Sequence, residues 1–142
     1  MRGSRLILSC AVVAVAAAAA SFGASLAGAQ PPGRLATQTS EASAVTVTVT
    51  PQDLAHDMVW EFQITLSTHS QPLGDDLMKS AALVYGSGAR HAPLAWRGDG
   101  PGGHHRKGVL TFAAIAPRPA VVELQIQRAG ETAPRSFKWQ LP

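Results

Sequence analysis

The sequence predicts an all-β fold, a seven-stranded sandwich of the immunoglobulin or fibronectin III kind that follows an N-terminal signal peptide. Three observations predict it. Apolar and polar residues alternate with period two through most of the chain after residue 44, turn-forming residues recur about every ten positions, and no convincing helical periodicity is present. A small closed barrel is the second architecture compatible with the pattern.

Of the 142 residues, residues 1–29 read as a targeting segment. Arg2 and Arg5 form a basic start, Leu6 to Ala20 is apolar, and Ala27-Gly28-Ala29 has the small-x-small form of a signal peptidase site. Cleavage predicts a mature chain beginning at Gln30 and a periplasmic or secreted protein. Retention as an N-terminal anchor is the alternative, because the uncharged stretch is long enough to cross a bilayer. Cys10 precedes most of the apolar run, where a lipoprotein cysteine would follow it, so the mature chain has no cysteine and no disulfide.

Without the leader, Lys+Arg falls from 12 to 10 against 9 acids, a net charge of +1. That leaves little to argue for nucleic acid, whose binding needs a concentrated basic face, and no nucleic-acid partner is expected. Residues 30–43, with Pro31-Pro32-Gly33 and then small polar residues, read as a flexible linker. Residues 44–142 are the domain, of a size that burial alone can stabilise.

Within it, Val45, Val47 and Val49 alternate with threonines in a first strand that Pro51 is expected to end. Trp60, Phe62, Ile64 and Leu66 share one face of a second. A long polar connection, Thr68 to Lys79, leads to a short third strand at Ala81 to Tyr85, closed by Gly86-Ser87-Gly88. The fourth surrounds Leu94 to Arg97, and the fifth, Val109 to Ile115, turns Leu110 and Phe112 inward. Val122, Leu124 and Ile126 form the core face of the sixth strand, and Phe137, Trp139 and Leu141 that of the seventh. The aromatics Trp60, Phe62, Phe112, Phe137 and Trp139 are expected to dominate the core, each removing about 150–250 Å² from water.

Alternate connections of such a sandwich share an end. The connection after the second strand carries His69, Asp75 and Asp76; the one before the fifth carries Asp99, His104 and His105; the one before the seventh carries Glu131. His56 and His91 fall at the other end. Three imidazoles with nearby carboxylates suit Zn(II) or Cu(II), so His69, His104 and His105, with Asp75, are the candidate metal ligands. Neighbouring strand residues point to opposite faces, so the histidine pair can share an ion only if the backbone turns, which Gly102 and Gly103 permit.

Other motifs read more plainly. Gly98 to Gly103 is a hairpin loop, lacking the strand, glycine loop and helix of a nucleotide cradle. Arg106 and Lys107 read as solvated edge-strand charges, Asp75-Asp76 as a turn or helix cap rather than a calcium site, and Trp96 as a core or inter-sheet residue rather than a binding aromatic. A serine, histidine and aspartate can be drawn together from Ser67 or Ser70, but no nucleophile-elbow pattern supports them, so no enzyme activity is predicted.

Three segments resemble an uncharacterised family of small exported prokaryotic proteins. They are Leu66-Ser67-Thr68-His69-Ser70, Pro93-Leu94-Ala95-Trp96, and Gly102-Gly103-His104-His105-Arg106-Lys107-Gly108-Val109-Leu110 with Phe112. The similarity covers most of Val45 to Leu141 and implies an exported β-domain without implying a substrate. Two functions are expected from the whole: metal binding through the loop histidines, or a non-catalytic interaction or structural module of the cell envelope. The partners expected are accordingly a metal ion or an envelope protein, with no membrane span after leader cleavage.

Overall fold

The computed structural model describes residues 35–142. The leader (1–29) and the first part of the expected linker (30–34) lie outside the described residues. Among the described residues nine strands, numbered in chain order, form two antiparallel sheets. The first sheet runs β1 (Gln38–Ala42), β2 (Val45–Asp53), β3 (Val59–Thr68), β7 (His105–Ala113), β6 (Ala95–Gly98) across its width. The second runs β5 (Ala89–His91), β4 (Ala81–Tyr85), β8 (Val121–Ile126), β9 (Arg135–Gln140). One helical turn, α1 (Leu77–Ser80), precedes β4; the Asp76 carboxylate caps it by accepting from the Met78 N–H.

Every strand expected from the alternation is present, and the all-β class holds. The alternation carries the core: Val47, Phe62, Ile64, Leu110 and Phe112 of the first sheet and Leu83, Val122, Leu124 and Ile126 of the second have no exposed surface. Phe62 meets Phe112 edge-on at 5.8 Å between ring centroids and Trp139 at 5.6 Å, joining the sheets. Burial of each such side chain contributes roughly 1.5–3 kcal/mol.

Two strands were not expected. β5 is the short return of a hairpin whose turn uses Gly86 and Gly88 at positive φ. β1 corrects the linker assignment: residues 38–42 pair in full register with β2, from Gln38 opposite Val49 to Ala42 opposite Val45. It is hard to read from the sequence, because Gln-Thr-Ser-Glu-Ala offers no apolar face and the side chains that hold it besides β2 lie in β9. Arg135 donates to the carbonyls of Ser40 and Ala42 at 2.9 and 2.7 Å, Trp139 donates to the Ala36 carbonyl, and the Gln38 amide brackets the Lys138 backbone.

Pro51 does not end β2. The strand continues to Asp53 through a bulge between Pro51 and Asp53. This position lies past the last β1 partner, where a missing N–H is tolerated.

Candidate functional site

The β3–β4, β6–β7 and β8–β9 connections meet at one pole. Thr68 N–H donates to the His104 carbonyl at 2.9 Å, and Leu73 and Gly103 with Gly102 exchange backbone bonds at 3.2 and 2.8 Å. Gly102 and Gly103 adopt φ of 114° and 68°, the left-handed region that lets the β6–β7 loop double back onto Leu73.

Beneath these loops lies a chain of three buried arginines. Arg106, Arg128 and Arg135 are 3%, 5% and 5% exposed. Arg106 donates to the carbonyls of Leu73 (3.1 Å), Asp75 (2.7 Å) and, more distantly, Asp99 (3.4 Å), so it binds two loops together; its Nε is buried without a partner. Arg128 grips Asp75 Oδ2 through Nε and Nη2 at 3.1 and 3.0 Å and reaches Glu131 Oε1 at 3.5 Å. Arg135 holds both Glu131 oxygens at 2.6 and 3.0 Å and extends to the Val45 carbonyl at 2.9 Å. The bidentate hydrogen bond from Arg135 keeps the Glu131 carboxyl below its usual 4.5 against the opposing effect of burial, aided by the charges of Arg135 and Arg128.

Sequence reasoning missed this network, although the signal was there. Period two places Arg106 on the inward face with Gly108, Leu110 and Phe112. The same count puts Arg128 two residues after Ile126 and Arg135 two before Phe137 and four before Trp139. Arg106 as a solvated edge charge is therefore corrected: it faces the interior, opposite Leu66.

The predicted metal ligands fare differently. The topology does bring the loops of His69 and His104 to one pole, as the backbone bond from Thr68 to His104 records. Their side chains do not assemble: among the described residues no group of three or more His, Cys, Asp or Glu is placed to hold a metal ion. His105 pairs opposite Ser67 with its side chain exposed, on the other face from Arg106. His69 lines a shallow depression beside the β1–β2 turn with Glu41, Ser43 and Thr46. Asp75 is corrected outright, because its carboxylate is buried and committed to Arg128. At the far pole His56 pairs with Asp53 at 3.1 Å, and His91 bonds the Tyr85 hydroxyl at 2.9 Å.

What the pole does present is a cleft of about 320 Å³ between α1 and the β6–β7 loop, walled by Leu77, Met78, Trp96, Pro101 and Arg106. Trp96 is half-buried. Its ring lies on the backbone of Gly98 and Gly108, where a Cβ on Gly108 would sit 2.6 Å from Cζ2. Its N–H donates to the Asp99 carbonyl at 3.0 Å, and the Arg106 guanidinium lies 5.8 Å from its ring centroid. Met78 is 37% exposed at the rim.

Comparison of the chain with protein-family models, with curated proteins and with solved structures gave no match. The resemblance to a family of exported proteins therefore rests on its motifs alone. No helix among the described residues is long and apolar enough to cross a membrane.

Proposed function

We propose that this chain is an exported, non-catalytic protein-interaction module of the cell envelope, built on an immunoglobulin-like sandwich. The sheet order supports the architecture. Taking β2, β3, β4, β6, β7, β8 and β9 as strands A to G gives A-B-E-D in one sheet and C-F-G in the other, with β1 and β5 added at edges. Export rests on the leader pattern of residues 1–29.

The observation that carries the interaction reading is the cleft beside α1. Trp96 and Met78 supply apolar, polarizable surface of the kind that anchors a partner's side chain. Arg106, bonded to two carbonyls of the β3–β4 loop and more distantly to that of Asp99, fixes that surface in place before any partner arrives, which lowers the ordering cost of binding. The module takes an apolar side chain of a partner protein into this cleft.

A photo-crosslinking residue placed at Met78, compared with one at Met58 on the far pole, tests the reading in cells that make the protein. A discrete adduct from position 78 and none from position 58 is expected. No adduct from 78, or the same adduct from both, would overturn it.

A further inference from the structure

The turn between β1 and β2 has the wrong residues for its shape. Ser43 and Ala44 both occupy the left-handed region, at φ 49° and 59°, as a two-residue type I′ hairpin requires. Such turns favour Asn-Gly because Asn and Gly bear a positive φ with little steric penalty, whereas Ala has neither a missing Cβ nor a polar side chain to compensate. The closed hairpin therefore carries backbone strain at two consecutive residues.

The strand that this turn folds back is held by polar contacts rather than by a buried face. Of its five residues, two are half-buried and three exposed. Its attachments are the ladder to β2, the Thr39–Thr48 hydroxyl pair at 3.1 Å, the Gln38 bracket on Lys138, and the Arg135 bonds to Ser40 and Ala42. These receiving groups lie on β2 and β9. None of them depends on β1 arriving from the same chain.

We infer that two copies of this chain associate by exchanging β1. Ser43 and Ala44 open to an extended conformation, β1 and β2 become one strand from Gln38 to Asp53, and each β1 docks on the β2, Arg135 and Lys138 of the other copy. Exchange keeps the β1 contacts and removes four left-handed residues, two per chain, so hinge strain opposes the entropy lost on association. The partner is a second copy related by a two-fold axis. The hinges cross beside the depression that His69 lines. This association uses β1 and the β2 and β9 edges, and is independent of the cleft beside α1.

Cross-linking in the full chain, purified as the host processes it and carrying Cys10→Ser, tests the exchange. Thr39→Cys and Thr48→Cys are made as separate single variants, one with a mass tag, and co-expressed. A disulfide-linked heterodimer joining position 39 of one chain to position 48 of the other is expected, with a dimer mass by light scattering. Ser43→Asn with Ala44→Gly relieves the turn and is expected to lower the dimer association constant roughly 100-fold, about tenfold for each of two hinges. The Thr39→Cys, Thr48→Cys double variant controls for geometry. If it bridges within one chain while the co-expressed singles give no heterodimer, or if the Asn-Gly hinge leaves the association constant unchanged, the exchange is refuted.

Discussion

The two poles of the sandwich handle arginine in opposite ways. At the β2–β3 and β7–β8 pole Arg118 is exposed, lies 5.6 Å from the Trp60 ring centroid and donates to the Leu54 carbonyl. The same end leaves Met58 82% exposed. At the other pole three arginines are buried, and their partners are backbone carbonyls of the loops and of β1 and β2, with the carboxylates of Asp75 and Glu131. One arginine decorates a surface; the other three replace hydrophobic packing beneath loops that are too polar to provide it. Burying a cation costs less the more of its donors are met, and here all but Arg106 Nε rely on backbone carbonyls and carboxylates held in position, a requirement that stiffens the pole.

The largest expected effect separates the poles by single substitution. Arg135→Ala leaves the Glu131 carboxylate with only its 3.5 Å contact to Arg128 and frees the β1 carbonyls, and is expected to destabilise the protein by about 3–5 kcal/mol. Arg118→Ala costs about 1 kcal/mol or less. Urea denaturation of both variants measures the difference, and equal losses would erase the contrast.

A smaller effect follows from the close approach of β6 and β7 under Trp96. A Cβ on Gly108 would lie 2.6 Å from the indole and 2.7 Å from the Arg97 carbonyl and the Gly98 Cα. Gly108→Ala is expected to cost about 1–3 kcal/mol and to shift the Trp96 fluorescence as the ring is displaced. An unchanged emission spectrum would mean that the cleft wall does not depend on this contact.

Acid provides a third comparison. The carboxyl of Glu131 is held below 4.5 in the folded state, so the unfolded chain binds the proton more readily. Its stabilising contribution is complete above 4.5 and is lost as pH falls through the lower folded-state value. Wild type is expected to lose more stability than Glu131→Gln as pH drops below 4.5. Parallel pH profiles would contradict the ion pair.

The smallest effect is expected at the histidines. His104→Ala with His105→Ala, both exposed, changes stability by less than about 0.5 kcal/mol. Titration with Zn(II) and Cu(II) is expected to give the same weak response in this variant as in wild type. Stoichiometric binding lost in the variant would instead establish the metal site that their loop placement suggested.

These outcomes follow how the sequence encodes each region. Where a strand buries one apolar face, alternation alone located it, as with Trp60 to Leu66 and Val122 to Ile126. The convergence of the β3–β4 and β6–β7 loops followed from strand order. The histidines drew the eye because their chemistry is conspicuous, yet backbone alternation turns His105 away from Arg106 and directs the arginine inward. Arg106, Arg128 and Arg135 were readable by the same count of two that placed the aromatics. What sets them apart is their charge, which in most proteins stands at the surface. β1 was not readable in that way, since it has no apolar face and its hold beyond the ladder to β2 comes from Arg135 and Lys138, roughly a hundred residues away, which no local pattern reports.

Buried arginines of this kind make a pole as rigid as the sheets below it, and amide hydrogen exchange reads that rigidity residue by residue. The amides of Thr68, Leu73 and Gly102, which bond across the loops, are expected to exchange as slowly as those of β3 and β7, and to speed up selectively when Arg106 is replaced by Met. Fast exchange at these three amides in the wild-type protein, typical of open loops, would contradict the account.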